Sequence, residues 1–240
     1  MLDPRLGPSS RRHFLQRSLQ LGAAAGLSSL AGAGRAQGQA MSQTLSQQAD
    51  SHVEIEGVPF ADTAVVGGAR LVLNGVGVNK RAFFKSEAVG LYLPQKLQTT
   101  DAVLKVPGPK RVRLVMLRGA SGSMISRAFV GDFNRWATDE EFKQLIAEVG
   151  QTGAMYNDIK SLKKGDEILL DWIPGEGLIS HINGKRTGQP IRNELFFTIT
   201  CLRPSMSPQA SSDLQARMLG LVPMARMPGS YEAAEEAWRR

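Results

Sequence analysis

Few side chains in this sequence stand where chemistry could be done, and Glu87 is the most conspicuous of them. It lies in the run 82–93 (AFFKSEAVGLYL), which is apolar on both parities and reads as a long central strand covered on both faces. Period two places Phe83, Lys85, Glu87, Val89, Leu91 and Leu93 on one side, so a carboxylate shares a face with large apolar groups. A lone buried carboxylate is costly unless neutral or paired, and Lys80, Arg81 and Lys85 are the cations near it in sequence. One reading is a polar group inside an apolar cleft. The other is a strand end or sheet edge where Glu87 reaches water.

The remaining motifs fall short of a catalytic set. Gly119-Ala120-Ser121-Gly122-Ser123 lacks the Gly-x-Ser-x-Gly order of a nucleophile elbow and reads as a loop before a helix. Gly75-Val76-Gly77 lacks the third glycine and following helix of a dinucleotide fingerprint, so it marks a strand bend or bulge. Ser180 and His181 are neighbours on a strand and face opposite ways, which excludes a direct nucleophile–base pair. Cys201 sits in an apolar helical stretch without a nearby histidine and reads as a small core residue. Lys160, Lys163 and Lys164 read as a solvated helix end and turn. With one cysteine and three scattered histidines (His13, His52, His181), Cys-rich metal sites and iron–sulfur clusters are excluded, and no cofactor is expected.

The elements that would position these residues follow from periodicity. Strands are expected at 53–56, 69–74 and 111–117, and a helix at 99–106 with Thr100 as N-cap. Met124, Ile125, Ala128, Phe129, Phe133 and Trp136 form one helical stripe, read as core. Thr138 and Glu141 make a capping box for a second helix carrying Phe142, Leu145, Ile146 and Val149 and ending at Gly150. Residues 166–188 read as a strand meander with a tight turn at Asn183-Gly184. Helices follow around 195–199 and 214–219. The whole is an α+β domain over 52–221, an antiparallel sheet covered by helices, with a tail at 222–240 that forms a loose terminal helix.

Residues 1–40 are set apart by an arginine-rich start, an apolar Gly/Ala-rich run and small residues up to Ala40, the layout of an export signal. Ser10-Arg11-Arg12-His13-Phe14-Leu15-Gln16 resembles the twin-arginine consensus, which implies the twin-arginine translocation machinery as a partner and a periplasmic destination. Small-residue cleavage sites end at Ala33 and at Ala40, residues 41–51 read as a flexible leader, and no stable membrane span is expected in the mature form. The signal holds five of the basic residues and one acid. The remainder keeps 24 Lys/Arg against 21 Asp/Glu of the chain's 29 and 22, too balanced to call for nucleic acid. One cysteine fits a chain that folds in a reducing compartment before export.

The stretch Leu73-Asn74-Gly75-Val76-Gly77-Val78-Asn79-Lys80-Arg81-Ala82-Phe83-Phe84-Lys85, continuing to Gly90-Leu91-Tyr92-Leu93, resembles the chalcone isomerase family, specifically its bacterial exported branch. Lys164-Gly165-Asp166, Leu170–Gly177 (LDWIPGEG), Ile182-Asn183-Gly184 and Leu219-Gly220 continue the resemblance in order over most of 53–221. It implies an open-faced β-sandwich, a large antiparallel sheet with a helical layer. In the plant enzymes an arginine, a threonine and a helix tyrosine carry the polar work; here Asn79 stands at the arginine position, Glu87 at the threonine, and Ile125 near the tyrosine. With all three changed, the resemblance implies a non-catalytic binder of a small apolar or amphipathic ligand, such as a fatty acid, with Asn79, Lys80, Arg81 and Glu87 as candidate ligand-binding residues. An isomerase (intramolecular lyase) using Glu87 on another substrate, and a structural or partner-binding periplasmic protein, are the alternatives.

Overall fold

The computed structural model describes residues 51–207, 209 and 211–240. The expected signal and all of the leader but Ser51 lie outside the described residues. Strands β1 (Ser51–Ile55), β2 (Val58–Phe60) and β3 (Thr63–Val66) lead into the long hairpin of β4 (Ala69–Arg81) and β5 (Phe84–Leu93). Helix α1 (Thr100–Lys105) precedes β6 (Lys110–Met116), and its N-cap is Thr99 rather than Thr100, because the Thr99 hydroxyl accepts from the Ala102 N–H. The short β7 (Ala120–Ser121) opens α2 (Gly122–Trp136). Next come α3 (Asp139–Gln144), α4 (Ile146–Asn157), β8 (Ser161–Leu162), and the meander β9 (Glu167–Ile173), β10 (Gly177–Ile182) and β11 (Lys185–Ile191). The chain closes with α5 (Glu194–Phe197), a π-helical turn over Thr198–Leu202, α6 (Arg203–Met206), α7 (Ser212–Met218), β12 (Arg226–Pro228) and α8 (Tyr231–Arg239).

Seven antiparallel strands in the order β11-β10-β9-β6-β5-β4-β3 form the main sheet. Its two faces bury different cores. Helices cover one face, where Leu91, Leu93, Val112 and Leu170 meet Phe133, Leu145, Phe196 and Phe197. The small sheet β12-β1-β2 covers part of the other, where Val53, Val58 and Phe60 pack on Leu71, Leu73, Ala88 and Tyr92. The α+β sandwich expected from the sequence is therefore present, with its layers as described.

Two β-bulges in the β4–β5 ladder decide which side chains reach which face. At the first, Asn74 is the extra residue: its amide donates to Leu97 O and Met218 O, and its oxygen accepts from the Leu97 N–H, so this buried polar group is satisfied on both ends. Just beyond it α7 lies directly on β4. A Cβ on Gly75 would stand 2.1 Å from the Arg217 carbonyl oxygen, so only glycine permits this approach. The second bulge sets Asn79 opposite Glu87 but Lys80 opposite Lys85, leaving Ser86 as the extra residue.

Several expectations are corrected. The strand at 82–93 begins at Phe84, because Ala82 (φ +52°) and Phe83 form the turn of the β4–β5 hairpin. The helix opened by the Thr138–Glu141 capping box is interrupted at Leu145 (φ −109°, ψ 14°) and continues past Gly150 to Asn157. Residues 222–240 are integrated with the sheet. β12 pairs with β1, and α8 lies over the small sheet with Trp238 against its core. Arg113, only 5% exposed, accounts for that docking: it pairs with Glu167 at 2.5 Å, donates to Pro59 O, reaches Glu235 of α8 at 3.3 Å and sits over the Phe60 ring. A buried guanidinium must have such partners, and the C-terminal helix supplies one. No helix among the described residues is long and apolar enough to cross a membrane.

Candidate functional site

Between the helical layer and the main sheet lies a cavity of about 430 Å³. The sheet side is built by alternation. In β6 the even residues Val112, Leu114 and Met116 face the cavity, and Arg118 continues that parity just past the strand end. Ile168 and Leu170 of β9 and Val89 of β5 extend the apolar floor. Opposite them α2 presents Ile125, Ala128, Phe129 and Phe133 at three- and four-residue spacing. The stripe expected to be core does join it, with Phe133 buried and Ile125, Phe129 and Trp136 packed against the main core, and the same side chains also border the cavity; Phe133 lies 5.4 Å from the Phe196 ring.

The closed end is formed by Tyr156 of α4 and by Ile199, Thr200 and Cys201 of the π-helical turn. Pro204 has no N–H to donate to Thr200, and the Arg203 N–H bonds back to Thr198 O, five residues earlier, so the helix widens here. The buried Thr200 hydroxyl has no hydrogen-bond partner among the described residues. Burial pushes the Cys201 thiol far above its ordinary pKa, and burial with Cys201 and Glu87 nearby does the same for the Tyr156 hydroxyl. Cys201, the one cysteine of the chain, is therefore a protonated thiol beside the cavity. At mildly alkaline pH the native protein should react with a disulfide reagent at least about a hundredfold more slowly than the denatured one, and a molecule filling the cavity should slow it further.

The exposed lining residues Arg81, Phe84, Arg118, Gly119 and Met124 mark the mouth. Here the second bulge matters. Ser86 and Glu87 both border the cavity, as does Phe84, whereas Lys85 points away to pair with Glu56 at 2.7 Å. The parity that grouped Phe83 and Lys85 with Glu87 is broken by that extra residue. Glu87 accepts from the Ser86 hydroxyl at 2.7 Å on one oxygen and lies 4.0 Å from Arg81 on the other, so the half-buried carboxylate is paired. Arg81 bridges the cleft to Asp132 of α2 at 2.7 Å. Burial works against the Arg81 charge, but the Asp132 hydrogen bond and the two carboxylates outweigh it and raise its pKa.

Of the four residues singled out from sequence, Asn79, Arg81 and Glu87 meet at the mouth, and Lys80 is exposed outside the lining. Four others were not singled out. Asp132 falls on the apolar stripe of α2, and a lone acid there was a readable signal. Arg118 continues the β6 alternation, also readable. Its guanidinium lies 4.4 Å over the Phe84 ring, and among the described residues no carboxylate pairs with it. Tyr156 lay beyond the expected helix end at Gly150. It brings a phenol to the cavity from α4, whereas the position expected for a tyrosine, Ile125, is apolar lining. Thr200 gave no signal.

A family model described as "Chalcone isomerase-like" matches residues 52–220. Among solved structures, the crystal structure of the Arabidopsis thaliana fatty-acid binding protein AtFAP1 is similar at a TM-score of 0.55 and 17% sequence identity, over 72% of this chain and 98% of that one. No curated protein matches the chain.

Proposed function

We propose that this chain, which belongs to the chalcone isomerase-like family, binds a small amphipathic ligand such as a fatty acid in the cavity between sheet and helices, without catalysis. The observation that carries the reading is the cavity itself: about 430 Å³, lined mainly by apolar side chains, with its charged groups gathered at one end. That is the size and polarity pattern of a site for one small ligand. The similar Arabidopsis thaliana protein, a fatty-acid binding protein, supports the ligand class.

The charges at the mouth assign the ends of the ligand. Arg81 is engaged by Asp132 and approached by Glu87, so it has no unmet need for an anion. Arg118 is free to take one, with the Asn79 amide also on the lining. The acyl body then lies along Leu114, Leu170 and Phe129. Glu87 is already held by Ser86 and Arg81, which argues against its use as a free base in an isomerase. The sequence motif Ser10–Gln16 supports export by the twin-arginine route to the periplasm as the setting.

Native mass spectrometry and thermal shift with a long-chain fatty acid and the corresponding alcohol test this reading. The protein should bind both one to one, and Arg118→Gln should weaken the acid about tenfold while sparing the alcohol, since only a charged partner is lost. Failure to bind either, along with aromatic ligands, overturns it.

A further inference from the structure

The turn of the β4–β5 hairpin carries an unusual burden of exposed apolar surface beside the cavity mouth. Phe83 is 99% exposed and Phe84 58%, and Met124 on the facing helix is 53% exposed. Phe84 and Met124 also line the cavity, so this surface is continuous with its interior. A fully exposed, projecting phenylalanine joined to further exposed apolar side chains marks a site of contact. Cations surround it. Lys80 and Arg118 have no carboxylate partner among the described residues, and Lys85 stands across the ladder from Lys80 with one partner, Glu56.

We propose that this hairpin tip docks the protein on an anionic lipid surface, with Phe83 inserted among the acyl chains and Lys80 and Lys85 at the phosphate level, so that the cavity mouth opens onto the membrane. Aromatic residues at the boundary and basic residues just behind it are the arrangement of interfacial anchors. Charge complementarity favours lipid over an apolar protein groove: Lys80 and Arg118, which have no carboxylate partner among the described residues, would be desolvated unpaired in a purely apolar groove but meet phosphates on an anionic bilayer. The proposal gives the binding reading above a route for ligand entry, and it rests on that reading only for its purpose.

Cosedimentation with phosphatidylglycerol/phosphatidylethanolamine vesicles, compared with phosphatidylcholine vesicles, tests it. The purified protein should bind the anionic vesicles, less so at high salt. Phe83→Ser and Lys80→Glu should each reduce this binding, Phe83→Ser by at least about tenfold, while leaving fatty-acid affinity in solution unchanged, because neither residue lines the cavity. A Phe83→Trp variant should show on the same vesicles a blue shift of emission beyond that of the wild type, which carries three tryptophans of its own. Vesicle binding that persists in Phe83→Ser, or a wild-type protein that ignores anionic vesicles, whether or not it binds a protein through the tip, overturns the proposal. Phe83-dependent vesicle binding in a protein that takes up no fatty acid upholds the docking site and overturns the binding reading.

Discussion

Replacing Ala128 with tryptophan is expected to abolish ligand binding while leaving the fold intact. Ala128 is the smallest side chain on the cavity face of α2, one turn before Asp132 and one after Met124. Ala128 borders the cavity, so an indole built there has open space to fill rather than packed neighbours to displace, and the usual penalty for overpacking does not apply. The added apolar contact keeps stability within about 1 kcal/mol of the wild type. The ligand loses the same space. Fatty-acid affinity should fall at least about a hundredfold, equivalent to roughly 3 kcal/mol, in a titration followed by native mass spectrometry. A variant that melts like the wild type and still binds with full affinity would place the ligand elsewhere.

The second large effect is on stability. Gly75→Ala should destabilise the protein by about 3 kcal/mol, since the new Cβ meets the Arg217 carbonyl oxygen at 2.1 Å and the Met218 Cα at 2.7 Å, and backbone cannot rotate away as a side chain can. Either α7 lifts from β4, breaking the hydrogen bond from the Asn74 amide to Met218 O, or the bulge shifts and disturbs the whole hairpin. For a domain of this size that is a fall in melting temperature of roughly 6–12 °C by calorimetry. Gly150→Ala is the matched control. It lies inside α4 with open space around it, and helix propensity predicts a gain of up to about 1 kcal/mol. Equal melting temperatures for the two variants would show that the close contact between α7 and β4 does not bear on stability.

The strands and most helices were legible because their signals are local. Alternation marked β6 and β9, and the capping box at Thr138–Glu141 opens α3 as its residues dictate. Asn183 and Gly184 both take positive φ (50° and 76°), as the hairpin they signal requires. The site was only half legible, for reasons of geometry. Period two cannot anticipate an extra residue, so the bulge at Ser86 moved Phe84 into the cavity and turned Lys85 away from it. The break at Leu145 has no Gly or Pro to announce it; Leu145 is fully buried, and tertiary packing sets the bend. The need of Arg113 for Glu235 could not be read without knowing that β6 and the C-terminal helix meet, so the tail reads from sequence as a loose terminal helix. Asp132 and Arg118 were readable in principle, since each is a charge in phase with an apolar pattern. What sequence could not supply was that their elements converge on one mouth.

A crystal structure of the protein with a bound long-chain fatty acid tests the central claim most directly. The account predicts one acyl chain lying between Val112, Leu114 and Leu170 of the sheet and Ile125 and Phe129 of α2, its carboxylate on Arg118 and the Arg81–Asp132 bridge still in place. A fatty acid bound anywhere outside this cavity, or one displacing Asp132 from Arg81 with Arg118 left untouched, would contradict it.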